Sequence, residues 1–204
     1  MADERHRWVV GPGSRPDLDG IDPDGTPGAP GSKAELETTT EELVFTLADL
    51  QNRLWAESRR SVLLVLQALD AGGKDGTIRK VFTGVNPQGV RVASFKAPTA
   101  HELSHDFLWR IHRETPGMGE IGVFNRSHYE DVLIVRVEEL VPEPVWRDRY
   151  AHIRHFEDVL ADAGTSVVKV FLHISKDEQA ERFRARLDTP EKRWKFSAAD
   201  LEVR

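Results

Sequence analysis

The sequence predicts an α/β fold in which a central parallel sheet is flanked by helices. Apolar segments of strand length alternate with segments of helical periodicity from about residue 35 onward. The first apolar segment, Ser61–Leu69, is almost continuously apolar, which is typical of a strand buried on both faces. A glycine-rich turn follows it directly, and ligands of such folds bind at the carboxyl ends of the strands.

Four strands are expected. They are Ser61–Leu69, Val90–Phe95, Ile121–Phe124 and Ser166–Ile174. Because parallel strands end at one edge of the sheet, the segments that follow them should lie close together.

Capping signals and apolar periodicity predict the helices. The caps are Thr38 or Thr39, Thr99 and Ser175, each followed by a glutamate three residues on. The inward positions predicted for the first three helices are Leu43, Leu47, Leu50 and Leu54, then Ile78, Val81, Phe82 and Val85, then Leu103, Phe107 and Ile111. A longer helix is expected over residues 144–163, ended by Gly164.

The first 34 residues are predicted to be a flexible acidic tail, so the folded domain is expected over residues 35–204. Residues 11–32 are rich in Gly, Pro and Asp and have few aliphatic side chains, so burial cannot offset their chain entropy. Residues 1–57 carry 12 acidic and five basic side chains, while the net charge of the whole chain is −6. The rest of the chain is therefore close to neutral and contains local basic clusters.

Composition excludes several classes of protein. No run of about 18 apolar residues is present, so no membrane span is expected. The absence of cysteine excludes disulfides and thiolate zinc sites. We expect a cytoplasmic protein whose partners include neither membranes nor nucleic acids.

Residues 68–75, Ala-Leu-Asp-Ala-Gly-Gly-Lys-Asp, approximate the phosphate-loop pattern G-x-x-x-x-G-K-[ST]. The match is imperfect because Ala68 replaces the first glycine and Asp75 replaces the Ser or Thr. Gly72 and Gly73 nevertheless permit conformations that turn N–H groups toward an anion, next to a helix start. The alternative interpretation is an ordinary glycine turn.

Charged side chains in and after this loop suit phosphate chemistry. Lys74 can contact a phosphate oxygen, and Asp70 is a hard oxygen donor suited to Mg²⁺. Arg79 and Lys80 follow in the next helix. In the alternative interpretation, the lysines and Arg79 are solvated and Asp70 only stabilises its turn.

A second motif indicates a different activity. His101-Glu-Leu-Ser-His105 matches H-E-x-x-H, in which two histidines one helical turn apart bind zinc and the glutamate acts as base. No H-x-x-G-x-x-H continuation follows, although a later glutamate could supply a third ligand. A zinc metalloprotease is therefore kept as an alternative.

Four segments together resemble the polyphosphate kinase 2 family. They are Leu69-Asp-Ala-Gly-Gly-Lys-Asp-Gly-Thr77, Ser94-Phe-Lys-Ala-Pro-Thr99, Gly122-Val-Phe-Asn-Arg-Ser-His-Tyr-Glu-Asp131, and Arg182-Phe-Arg-Ala-Arg-Leu187 with Lys192-Arg-Trp-Lys-Phe-Ser197. The resemblance runs from about residue 35 to the C-terminus. It implies a three-layer P-loop kinase-like fold with a helical lid. It also implies Mg²⁺-dependent transfer, with Mn²⁺ as a substitute, between inorganic polyphosphate and adenine or guanine nucleotides by a homo-oligomer.

The resemblance also implies roles for individual residues. Asp70 resembles the metal-binding aspartate, Lys74 the phosphate-loop lysine, and Arg126 the arginine after the Walker B position. Arg186 and Arg182 resemble lid arginines. The remaining residues expected to bind phosphate or nucleotide are Gly72, Gly73, Asp75, Gly76, Thr77, Arg79, Lys80, Lys96, Asn125, Glu130, Asp131, Lys192 and Lys195.

One position departs from many members of the family. Asn125 stands where they have aspartate, and asparagine ligates a metal without adding charge. Glu130 or Asp131 could restore that charge. The Asn-Arg-Ser-His-Tyr-Glu-Asp form resembles the subgroup associated with phosphorylating both AMP and ADP.

The basic run over residues 182–195 suits polyphosphate, because a linear polyanion needs forked guanidinium contacts. Considered alone, however, this run is typical of a solvated helix end. Since family members continue for several tens of residues, we expect the C-terminal part of the domain to be missing. An inactive or binding-only remnant is therefore an alternative function. An ATP-dependent small-molecule kinase is another, because a phosphate loop does not specify the acceptor.

Overall fold

The computed structural model describes residues 8–29 and 31–195, and it has one sheet of four parallel strands in the order β2-β3-β1-β4. The strands are β1 (Ser61–Ala68), β2 (Val90–Ser94), β3 (Ile121–Asn125) and β4 (Thr165–Leu172). The helices are α1 (Lys33–Glu57), α2 (Lys74–Phe82), α3 (Ala100–Leu103), α4 (Trp109–His112), α5 (Glu130–Val137), α6 (Glu143–Asp162) and α7 (Lys176–Asp188). Short 3-10 helices occupy Pro87–Gly89 and Pro190–Lys195. The α/β prediction is confirmed, and all four predicted strands are present.

Strand β1 lies inside the sheet, which explains its nearly continuous apolar sequence. Its residue Val62 is opposite Ile121 of β3 on one side and Ser166 of β4 on the other. Leu63 and Val65 of β1 are buried in the main apolar cluster. Burying a side chain of this size contributes about 1.5–3 kcal/mol, so the strand that leads into the phosphate loop is firmly held.

The core continues from β1 to the neighbouring strands and helices. Phe124 of β3 meets Phe95, the residue after β2, edge-to-face with ring centroids 4.9 Å apart. Ile111 of α4 and Phe156 of α6 belong to the same cluster. This packing fixes where β1, β2 and β3 end, and hence the edge at which their following loops meet.

The predicted start of the first helix is wrong, and its predicted inward face is only partly buried. Helix α1 begins at Lys33, because Ser32 and Glu35 already form a complete capping box. Thr38 lies inside the helix and donates its hydroxyl to a backbone carbonyl one turn earlier. Leu43 and Leu50, expected to point inward, are 64% and 54% exposed, whereas Leu47 and Leu54 are half-buried.

The third predicted helix is divided into α3 and α4. The predicted Thr99 cap is confirmed, but α3 ends at Leu103, which is exposed rather than inward. The Ser104 hydroxyl and the Asp106 carboxylate then form local hydrogen bonds with the backbone. Such bonds compete with helix continuation, and the redirected chain places Ile111 in the core.

The last two predicted helices are confirmed, whereas α5 was not predicted. Gly164 follows α6 with a φ of +93°, a conformation that glycine adopts without strain. The Ser175 hydroxyl accepts the Glu178 N–H at the start of α7. The described residues of the predicted tail contain turns and are mostly exposed. Among the described helices, none has the length and apolar character needed to cross a membrane.

Candidate active site

The phosphate loop connects the end of β1 to the start of α2 in a tightly wrapped turn. Ala71 and Gly73 have φ values of +62° and +95°. A Cβ atom at Gly72 would lie 2.5 Å from the Ala68 Cβ, so only glycine fits there. Gly73 caps α2 and makes no side-chain hydrogen bond to the start of this helix, and a helix N-terminus of this kind suits an anion.

The Lys74 ammonium group folds back over the loop. Its Nζ donates to the Ala68 carbonyl at 2.9 Å and lies 3.4 Å from the Leu69 carbonyl. Burial, with a further contribution from Arg126, lowers the pKa of Lys74, and nearby carboxylates including Asp70 oppose this shift. The ammonium is therefore partly desolvated, and a phosphate would provide a stronger partner than these carbonyl groups.

The loop after β3 meets the phosphate loop through two polar contacts. Arg126 Nη2 is 2.7 Å from Asp70 Oδ1. Asn125 Nδ2 donates to Asp75 Oδ1 at 2.8 Å. The backbone N–H of Arg126 donates to the Leu66 carbonyl of β1, and its φ is +64°. Arg126 is thus held in a conformation that is uncommon for a non-glycine residue, facing the phosphate loop.

A cavity of about 950 Å³ opens where these two loops meet the segment after β2 and helix α7. Its lining includes most of the predicted site. The predicted residues that line it are Asp70, Gly72, Gly73, Lys74, Asp75, Gly76, Arg79, Lys96, Asn125, Arg126, Arg182 and Arg186. The structure therefore brings four separate sequence segments to one concave surface.

Six predicted residues lie elsewhere or fall outside the described part. Thr77, Lys80, Glu130 and Asp131 do not line the cavity, although Glu130 is close enough to influence Lys74 electrostatically. The predicted contacts of Lys192 and Lys195 depend on side chains outside the described part of the structure.

Asp131 has a different structural role from the one considered for it. Arg149 Nη1 donates to the Asp131 carbonyl at 3.0 Å and lies 3.4 Å from its Oδ1. Burial raises the pKa of Asp131. The Asp131 side chain is paired with Arg149 of α6. Glu130 is therefore the better candidate for restoring the charge that Asn125 lacks.

The oxygen donors at the cavity fit a divalent cation that is shared with phosphate. Asp70 provides a carboxylate and Asn125 an amide oxygen, both hard ligands. The described residues contain no group of three or more His, Cys, Asp or Glu that could hold a metal by themselves. Mg²⁺ commonly binds through one or two carboxylates, water and substrate phosphates, so the donor set is appropriate for it.

The H-E-x-x-H segment does not have the geometry of a zinc site. His105 lies beyond the end of α3 and stacks on Trp109, with ring centroids 4.0 Å apart. Glu102 Oε2 accepts the Thr99 N–H at 2.7 Å, and this bond lowers the pKa of Glu102. The glutamate is therefore a helix cap, and the geometry does not support the metalloprotease alternative.

The segment that carries Lys96 is held by Arg110, which sequence reasoning missed. Arg110 is 9% exposed, and its Nη2 donates to the Lys96 carbonyl at 2.9 Å. Its Nη1 lies 3.6 Å from Glu102 Oε2, and the guanidinium group packs over the Phe95 ring. An arginine within the apolar sequence Phe-Leu-Trp-Arg-Ile was the available signal, because a buried arginine requires partners.

A polar network centred on Glu157 of α6 anchors the loop after β3. Glu157 Oε1 accepts from the Tyr129 hydroxyl at 2.8 Å and lies 3.3 Å from Nε2 of the fully buried His128. Lys169 of β4 donates to Glu157 Oε2 at 2.7 Å. Burial alone would raise the pKa of Glu157, but hydrogen bonds from His128, Lys169 and Tyr129 lower it to about 2.

We expect Glu157→Gln to reduce the free energy of unfolding by about 1–3 kcal/mol at neutral pH. The folded-state pKa lies below the ordinary 4.5, so the ionised network stabilises the protein above pH 4.5. This contribution is lost as the pH falls toward about 2. Urea unfolding at neutral and acidic pH should therefore show a difference from the parent chain that shrinks on acidification. An undiminished difference in acid would contradict this prediction, and Glu143→Gln, in an exposed pair with Arg147, is the control.

Comparisons with known proteins show which family this sequence matches. The sequence model of the family described as "Polyphosphate kinase 2 (PPK2)" matches residues 31–204. An AMP/ADP-polyphosphate phosphotransferase from Meiothermus ruber is 57% identical over 198 residues, which cover 97% of this chain and 74% of that protein. An ADP-polyphosphate phosphotransferase from Rhodopseudomonas palustris is 55% identical over 185 residues, covering 85% of this chain and 64% of that protein.

A solved structure is also similar. The crystal structure of polyphosphate kinase 2 from Arthrobacter aurescens superposes with a TM-score of 0.90 at 46% sequence identity. The superposition covers 97% of this chain and 71% of that one. The two chains therefore share the same overall fold.

Proposed function

The chain belongs to the polyphosphate kinase 2 family, and we propose that it transfers phosphoryl groups between inorganic polyphosphate and the nucleotides AMP and ADP. One observation carries this proposal most directly. A single cavity combines the Lys74 phosphate loop, Arg126 after β3, and Arg182 and Arg186 of α7. A cavity lined by guanidinium and ammonium groups matches substrates that consist largely of phosphate.

The reaction needs positioning and charge neutralisation rather than a nucleophilic side chain. A terminal phosphate oxygen of the nucleotide is already anionic, so no strong general base is required to activate it. This oxygen forms a bond to the terminal phosphorus of polyphosphate while the bridging P–O bond breaks, which leaves a chain one phosphate shorter. Lys74, Arg126 and Arg186 neutralise charge as this in-line transfer proceeds.

A divalent cation is expected in this family, and Mg²⁺ is our proposal, with Mn²⁺ as a substitute. Asp70 would hold it, together with Asn125 or Glu130. When bound, it would neutralise phosphate charge. Arg126 donates directly to Asp70 Oδ1, so the same carboxylate that positions the arginine would also hold the cation.

Polyphosphate would lie along the arginines of α7 and the segment carrying Lys96. Arg182 and Arg186 line the cavity on one side and Lys96 lines it on another. Forked guanidinium groups can each contact two phosphate oxygens, which suits a chain of repeated phosphates. Contacts from Lys192 and Lys195 remain part of this proposal.

We further propose that residues 35–204 form the phosphotransferase domain of a cytoplasmic homo-oligomer, preceded by the tail. Exposed apolar side chains on α1 support an assembly that covers them. They include Leu43, Leu50 and Phe45. Guanine nucleotides are a second substrate class to be compared directly with adenine nucleotides.

The proposal is tested by incubating the purified chain with Mg²⁺, long-chain polyphosphate and either AMP or ADP. We expect ADP or ATP to form only when polyphosphate is present, and EDTA to stop the reaction. Polyphosphate binding without transfer would instead indicate a binding-only protein. Transfer from ATP to a non-nucleotide acceptor, without use of polyphosphate, would indicate a small-molecule kinase.

A further inference from the structure

The orientation of the phosphate loop requires hydrogen-bond donors on its outer side. In a trans peptide unit the C=O and N–H groups point in opposite directions. A loop that turns N–H groups toward an anion therefore directs the linked carbonyls away from it. Carbonyls that are buried without a donor are costly, so something outside the loop has to bind them.

Helix α7 provides these donors from more than 100 residues further along the chain. Gln179 Nε2 donates to the Asp70 carbonyl at 2.9 Å. Arg182 Nη1 donates to the Ala71 carbonyl at 3.1 Å. The two carbonyls belong to consecutive residues, and the two donors are one turn apart on the same helix face.

Gln179 and Arg182 differ in their relation to the cavity. Gln179 is 4% exposed and does not line the cavity, whereas Arg182 does. Arg182 also forms an ion pair with Glu178, in which its Nε lies 2.6 Å from Glu178 Oε1. The buried amide of Gln179 is therefore directed at the loop backbone rather than at a ligand.

The peptide unit that Gln179 holds is important for the site. Its carbonyl belongs to Asp70 and its N–H to Ala71, and Ala71 has a positive φ of +62°. Such a conformation is strained for a non-glycine residue and persists only when the surroundings enforce it. Because the C=O and N–H groups of a trans peptide unit point in opposite directions, a fixed Asp70 carbonyl also fixes the direction of the Ala71 N–H and sets where the Asp70 side chain begins.

We propose that Gln179 is a positioning residue for phosphoryl transfer, which holds the Asp70–Ala71 peptide unit in its phosphate-binding orientation. The proposal rests on the proposed function. It adds a residue that touches neither substrate nor metal and acts through the loop. Because α7 also carries Arg186, the same bond ties the cavity-lining part of this helix to the phosphate loop.

The test compares two buried glutamines. Gln179→Met removes the donor from α7, while Gln51→Met makes the same change on α1, where Gln51 is 1% exposed and its amide has no hydrogen-bond partner among the described residues. Tripolyphosphate binding in the presence of Mg²⁺ is measured by isothermal titration calorimetry, and folding by thermal melting. We expect Gln179→Met to weaken binding about tenfold and Gln51→Met to leave the affinity unchanged.

The outcomes are distinguishable. An unchanged affinity in Gln179→Met, or an equal loss in Gln51→Met, would overturn the proposal. A purely structural role would lower the folded fraction while the folded molecules keep their affinity, and that result would also overturn it. If Gln179→Met does not melt cooperatively, Gln179→Glu provides a polar variant of similar size whose ionised side chain cannot donate.

The proposed function is decided separately, by turnover of the parent chain. Weakened tripolyphosphate binding in Gln179→Met together with a parent chain that does not use polyphosphate would support the role of Gln179 in holding the loop for phosphate binding and reject the proposed reaction. A parent chain that turns over polyphosphate, with a Gln179→Met variant of unaltered tripolyphosphate affinity, would support the proposed reaction and reject the positioning role.

Discussion

Replacing Lys74 with alanine is expected to reduce polyphosphate-dependent ATP formation by a factor of about 100 to 1,000. The ammonium is partly desolvated above the phosphate loop, where a charge interacts more strongly with a transferring phosphoryl group than it does in water. Its bonds in the structure are to the carbonyls of Ala68 and Leu69 at the cavity. Water can replace those bonds, so we expect the free energy of unfolding to change by less than about 1 kcal/mol.

Initial rates and urea unfolding of the variant and the parent chain check this prediction. Lys33→Ala is the matched control, because Lys33 is also the first residue of a helix but is exposed on α1. Normal turnover in Lys74→Ala would show that the loop does not act through this lysine. A loss of folding comparable to the loss of activity would show that the effect is structural.

Changing Asp70 to asparagine is expected to lower the rate about 100-fold or more at a fixed, moderate Mg²⁺ concentration. The substitution preserves the size of the side chain and removes its charge, so the proposed cation site would lose its carboxylate ligand. Arg126 loses its ionic partner at the same time. Part of the activity should return at higher Mg²⁺ concentration, because the substrate phosphates continue to bind the cation.

Rates measured over a series of Mg²⁺ concentrations distinguish the two effects of this substitution. A shift of the Mg²⁺ dependence to higher concentration would support metal binding by Asp70. A lower maximal rate with an unshifted dependence would instead assign Asp70 to the orientation of Arg126. Asp49→Asn, which removes an exposed ion pair with Arg53 on α1, should change neither quantity.

Local signals made much of this fold predictable. The strand β1 was predictable because burial on both faces demands a continuous apolar sequence. The caps at Thr99 and Ser175 were predictable because each forms within four residues. The start of α1 was not predictable, since Ser32, Thr38 and Thr39 are all acceptable caps and the sequence does not indicate which one is used.

The site was predictable to the extent that its residues belong to recognisable segments. Lys74 and Arg126 occur in such segments, and both line the cavity. Gln179, Arg110 and Glu157 were missed because their roles depend on partners that are distant in sequence, as with Gln179 and the Asp70 carbonyl. A buried polar side chain reveals its function only when the fold shows which group it satisfies.

The position of Lys74 over its own loop also bears on how quickly products leave. The ammonium binds the Ala68 carbonyl in this structure, so it has an oxygen partner when no phosphate is bound to the loop. The empty loop is thereby stabilised, so the gain on loading is smaller than a lysine–phosphate contact alone would give. Phosphate release would therefore exchange one oxygen partner of Lys74 for another, and the ammonium would not have to stay unpaired between turnovers.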